Sequence, residues 1–329
     1  MRDAVSFREW RVNRSLYIAA AAVMLFPWVL MLLTSIGGPG GELIELRAVI
    51  GDNAGLGPTN GWITVLGGLL ALGVFWNDRS RGGLDGALEG PVSRRALLMA
   101  KMRWGILTIT AVWVLLFVIL ALVAVGIGHA GFIGPLVIAG VWSVSSAVAL
   151  YVAAVAFGAA MGSAFFTALA SVLWVTLPRI VESVAFQLTL GSGRRLPLAT
   201  AERWQTTLTD IHWFSVATDG HPAGWAAVLY AAYFAAWAVF LGWRALVWWE
   251  RTPMERFHDP FYYPQLWNFW YAFLAILSGM FVAALAIPNV GSQGRLDIAA
   301  LVFGVPLWFL WRWTWRRLSR SALSWGHQT

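Results

Sequence analysis

Cysteine is missing altogether, so the chain has no disulfide framework and no thiolate chemistry. Charge is scarce as well. Only 12% of the 329 residues are Asp, Glu, Lys or Arg, where a soluble domain carries about a quarter. Lysine occurs once, as Lys101, and it follows Met99-Ala100 rather than a glycine-rich loop. No Gly-x-x-x-x-Gly-Lys-[Ser/Thr] phosphate loop is present, so nucleotide chemistry is not expected from this chain. His-Glu-x-x-His and Gly-x-Ser-x-Gly are missing too, and no aspartate sits centrally in an apolar run. Membrane-hydrolase and intramembrane-protease readings therefore have no support.

What the chain has is apolar length. Hydrophobic residues make up 59% of it, in continuous runs of about 20, enough to cross a bilayer as helix. The runs do not alternate, which argues against a β-barrel. The fold class expected is all-α, a polytopic transmembrane helical bundle. About eight spans are predicted, near 17–36, 60–76, 97–127, 132–157, 163–188, 223–247, 266–288 and 297–315. The fourth and fifth are separated only by Gly-Ala-Ala-Met-Gly-Ser and should form a hairpin.

The net charge of +7 does not call for nucleic acid as a partner. Most of the basic residues fall in clusters on one side of an eight-span bundle; only a longer loop near 190–222 on the other side, with Arg194, Arg195 and Arg203, weakens the bias. Arg2, Arg8, Arg11 and Arg14 precede the first span. Arg79, Arg81, Arg94, Arg95, Lys101 and Arg103 surround the second-to-third connection. Arg251 and Arg256 follow the sixth span, and Arg316, Arg317 and Arg320 the eighth. The positive-inside rule then places both termini in the cytoplasm and the protein in the cell membrane as a multi-pass chain. Tryptophan is abundant at 22 residues. Trp76, Trp104, Trp248, Trp249, Trp308, Trp311, Trp313 and Trp315 fall at span ends, as headgroup-level anchors do; an aromatic substrate cage is the alternative.

The most polar interruption is Asn77–Gly105. Gly82, Gly83 and Gly86 permit sharp backbone changes. Leu84 and Leu88, four apart, share one face of a short helix, with Asp85 and Glu89 on the adjoining stripe. Pro91 ends that helix or starts the next element, and Ser93 is placed to cap the following one. Arg94, Arg95 and Lys101 are expected to hold the connection to anionic headgroups.

The run Asp78-Arg79-x-x-Gly82-x-Leu84-x-x-x-Leu88-x-x-Pro91-Val92-Ser93-Arg94, with Lys101 beyond it, resembles the second-to-third-span loop of ABC-2 type transporter permeases. Asp78 stands for that family's usual Glu, Gly83 for its Thr and Ala87 for one of its leucines. The resemblance covers about 30 residues; elsewhere it rests on the span pattern. It implies an interfacial elbow helix over 1–16, a six-span ABC-2 (type V exporter-like) core over 17–249 and a coupling loop over 77–96. A two-span extension with a basic tail over 250–329 is similar to permeases of the Ytr type. The resemblance further implies a membrane-spanning subunit that is not itself an enzyme. Separate ABC ATPase subunits would bind ATP and Mg, and a second permease subunit, the same or homologous, would complete the path. Asp78, Arg79, Gly82, Leu84, Asp85, Leu88, Glu89, Pro91, Ser93 and Arg94 would then form the ATPase-coupling stretch. An ion-coupled secondary transporter and a non-transport membrane scaffold are the rival readings.

Two other features stand out. Arg179 and Glu182, three apart after Pro178, can pair on a helix face at the outer rim or serve in gating. Asp210, His212, Asp219 and His221 are of metal-binding type, but their spacing matches no ligand pattern. No metal and no cofactor is expected in the chain itself.

Overall fold

The computed structural model describes residues 2–37, 56–80, 93–126, 130–163, 165–171, 225–252, 270–271, 275, 304–310 and 312–313. Among them there is no strand. Among these residues are five long helices: α1 (Arg2–Gly37), α2 (Leu56–Ser80), α3 (Arg94–Gly126), α4 (Ile133–Ala160) and α5 (Trp225–Arg251). Further helical stretches cover 165–171 and 304–310. The chain divides into two units. One comprises Met1–Val175 with Asp210–Tyr262, the other Thr176–Thr209 with Tyr263–Thr329.

Among the described residues, four helices are long and apolar enough to cross a membrane: Ala4–Leu30, Arg94–Gly126, Ile133–Ala160 and Ala226–Arg251. Trp62–Asp78 is a shorter apolar helix. This is a helical membrane protein, and its outer surface shows it. On α3, Leu98, Met102, Gly105, Ile109, Val112, Leu116 and Leu120 are buried at three- and four-residue steps. The opposite face exposes Leu107, Val114, Val118 and Leu122. A helix apolar on both faces is stable only where its outside meets lipid.

In the first unit α4 is the central helix. It packs most extensively on α5 and α2, while α1 packs on α3 and α2. Trp142, Leu150, Ala227 and Phe234 form the α4–α5 core. Toward α2 the approach is close. A Cβ at Gly67 would lie 3.1 Å from the Ala147 carbonyl oxygen, so glycine there lets two backbones meet, as small residues do between membrane helices. Thr64 and Ser146 add a hydroxyl–hydroxyl hydrogen bond of 3.2 Å across the same seam.

α1 runs unbroken from Arg2 to Gly37. The stretch expected as an elbow over 1–16 is thus the start of the same helix that continues through the first apolar run. Pro27 lies inside it. Proline has no N–H, so the Val23 carbonyl loses its helical donor. The Trp62 indole N–H on α2 donates to that oxygen at 3.2 Å, which supplies the bond that a low-dielectric surrounding demands.

α2 extends four residues beyond its sequence-predicted end at Trp76, to Ser80. The turn after α4 falls where Gly158–Ser163 predicts it: α4 ends at Ala160 and helix resumes by residue 165. Trp76 is 61% exposed, as an interface anchor should be, but Trp249 is fully buried. The Trp249 ring meets Phe75 edge-on at 6.1 Å, so its role is packing.

In the second unit, a Cβ at Gly304 would stand 3.4 Å from the Ala275 carbonyl oxygen. Arg312 lies over the Trp308 ring at 5.1 Å, a cation–π contact.

Candidate functional site

Glu9 and Lys101 each lie eight residues into their helices, and Asp78 lies two before the end of its own. α1 and α3 start at the end of the bundle where α2 finishes, so the three side chains converge. The Lys101 ammonium donates to Glu9 Oε2 at 2.9 Å and to Asp78 Oδ2. Lys101 is fully buried; Glu9 and Asp78 are 3% and 7% exposed.

A polar shell completes the cluster. The Asn13 amide donates to Glu9 Oε1 at 2.8 Å and to Asp78 Oδ1 at 3.5 Å. The Tyr17 hydroxyl donates to Glu9 Oε1 at 3.1 Å. The Asn77 amide donates to Asn13 Oδ1 at 2.6 Å. Glu9, Asn13 and Tyr17 follow at four-residue steps, so one stripe of α1 carries all three. Arg8, Arg11 and Arg14 lie off that stripe and are exposed. Two carboxylates and an ammonium are costly to remove from water, and only close pairing with further hydrogen bonds makes such burial tolerable. The arrangement ties three helices together at one level.

α4 reaches the same point through Tyr151, whose hydroxyl donates to the Lys101 carbonyl at 2.8 Å. Gly105 makes room for it: a Cβ there would fall 1.9 Å from Tyr151 Cζ.

Beside the cluster, the entry to α3 is fixed by its own residues. Ser93 Oγ accepts from the Ala96 amide at 3.2 Å, which is the N-cap its position predicts. The Arg94 guanidinium donates to the Thr252 carbonyl just past α5. Arg95 pairs with Glu250 at 3.7 Å, an exposed contact of small energetic weight.

These positions change several sequence-based expectations. Lys101 does not reach headgroups; it is the centre of the buried cluster. Arg94 turns to the α5 end and not to lipid. Asp78, grouped with the ATPase-coupling residues by the resemblance, directs its carboxylate into the bundle. Arg79 is in the last turn of α2, and nothing is described of its side chain. Gly82, Leu84, Asp85, Leu88, Glu89 and Pro91 lie outside the described residues, as do Arg179 and Glu182.

Glu9, Asn13, Tyr17 and Tyr151 escape a sequence reading because each is an isolated polar residue in an apolar or basic context. One signal was present. A chain that uses arginine everywhere else places its single lysine at 101. A compact ammonium with three donors suits a site between two carboxylates better than a planar guanidinium does.

No family model, no curated protein and no solved structure matches the chain.

Proposed function

We propose that the protein is the membrane-spanning permease subunit of an ABC transporter, coupled to a separate ATPase through the connection 77–96. The observation that carries this reading is the pinning of that connection at both ends. On the incoming side, Asp78 is bonded to Lys101 of α3 and linked through it to Glu9 of α1. On the outgoing side, Ser93 caps α3 and Arg94 is bonded to the Thr252 carbonyl next to α5. A push on the intervening residues would thus be felt at once by α1, α2, α3 and the α5 end. A loop serving only as a tether has no need of such anchoring.

On this reading eight spans place both termini in the cytoplasm. The stretch around Gly83–Gly90 docks on the ATPase, which supplies ATP and Mg, and a second permease subunit completes the path. Leu84 and Leu88 supply the apolar contact.

The buried charges are the observation that favours an ion-coupled secondary transporter, since intramembrane ionisable groups commonly mark ion paths. Coupling sites of that class lie near the bilayer midplane. Glu9, Asp78 and Lys101 all sit at one end of their helices, which favours the permease reading.

The test is co-purification. Changing Leu84 and Leu88 together to Ser should leave the protein inserted, weaken capture of the ATPase and abolish transport-stimulated ATP hydrolysis. The matched change of Leu43 and Leu46, between α1 and α2, should do neither. Normal ATPase binding and stimulation by the first variant would sink the reading.

A further inference from the structure

We infer that the seam between α1 and α3 binds one anionic phospholipid, headgroup at Arg95 and Arg103 and acyl chain along the apolar length of the same two helices. Two adjoining hollows carry the inference. The first is a cavity of about 470 Å³ lined by Ser6, Ser93, Arg95, Met99 and Arg103, among others. Arg95, Met99 and Arg103 are four apart, so they stand on one stripe of α3. Both arginines are exposed, and no acidic residue among the described residues lines the cavity. Its wall is held by the Trp104 indole, which donates to the Ser6 carbonyl at 2.8 Å.

The second hollow, of about 270 Å³, begins at Trp10 and Trp104 and continues between the same helices past Ile18, Leu107 and Leu115. Those three are about half exposed or more. The Trp10 and Trp104 rings pack at 4.7 Å and mark the boundary between the polar and apolar hollows. Indole rings prefer that level of a bilayer.

The occupant follows from the order of these features. Two guanidiniums and two serines ask for a phosphate, which arginine recognises with paired donors. A free phosphate would have no use for the hydrophobic channel leading away from them. A zwitterionic lipid fits the channel, but its cationic group would meet two arginines. Basic pockets between membrane helices on the inner side bind anionic headgroups for this reason. Arg95 also contacts Glu250, but that contact is long and solvated, so the guanidinium keeps donors for a second partner.

The experiment uses the full-length protein in neutral detergent, with bound lipid counted by native mass spectrometry against phosphatidylglycerol and phosphatidylcholine in turn. Wild type should retain one phosphatidylglycerol at least tenfold more tightly than phosphatidylcholine. The R95Q/R103Q variant should lose about that tenfold preference, R95K/R103K should keep most of it, and R8Q/R11Q, on exposed arginines outside the cavity, should change it little. A111W, placed in the apolar hollow, should weaken both lipids while leaving the headgroup preference. Equal retention of the two lipids by wild type overturns the proposal, as does an unchanged preference in R95Q/R103Q. Displacement of the lipid by millimolar inorganic phosphate would show a free-anion site and overturn it too.

Discussion

The Trp62 indole N–H is bonded to the Val23 carbonyl oxygen, 3.2 Å away on the neighbouring helix, at the position that Pro27 leaves without a helical donor. The two facts are coupled, because an unpaired carbonyl in an apolar setting is unfavourable. Replacing Trp62 by Phe should destabilise the protein by about 0.5–1.5 kcal/mol. In a P27A background the new backbone amide takes over as donor to that carbonyl, so the same change should cost less. A double-mutant cycle in detergent unfolding measures the difference. An identical penalty in both backgrounds would show the bond to be incidental.

Lys101 is the sole cation among the described residues bonded to Glu9 and Asp78. K101M therefore strands two buried carboxylates and should destabilise by about 3–5 kcal/mol. The triple variant E9Q/D78N/K101M removes every charge while keeping volume, and should recover most of that loss. Thermal unfolding of the purified variants distinguishes a charge requirement from a volume requirement. A triple variant as unstable as K101M would mean that the ammonium stem, not the pairing, matters.

Gly105 lies under the Tyr151 ring, where a Cβ would overlap Cζ at 1.9 Å. G105A should destabilise by about 1–3 kcal/mol through forced displacement of the ring. Adding Y151L should restore part of the loss while giving up the hydroxyl bond to the Lys101 carbonyl. Should G105A melt like wild type, α3 and α4 are not in close register here.

Reporter fusions after Thr329 and within residues 38–55, between α1 and α2, should report opposite sides of the membrane, with the C-terminal fusion in the cytoplasm. A C-terminal fusion found outside would contradict the eight-span count on which the arginine distribution depends.

The sequence by itself determined the class of the protein. Long apolar runs with little charge leave helices in lipid as the stable solution, because a spanning segment must satisfy its backbone internally. It also determined local features that depend on neighbours in the chain: the Ser93 cap, and the turn between Ala160 and residue 165. It underestimated α2, since Asn77 and Asp78 read as a polar exit from the membrane. They continue the helix because Asn13 and Lys101 satisfy them from other helices. Only the tertiary structure decided that meeting. Glu9 and Lys101 are 92 residues apart, and hydropathy describes each by its own neighbours. By that measure one belongs to a basic N-terminal stretch and the other to a basic loop. Their pairing arises because α1 and α3 start at the same end of the bundle, and because two buried carboxylates in low dielectric require a cation between them.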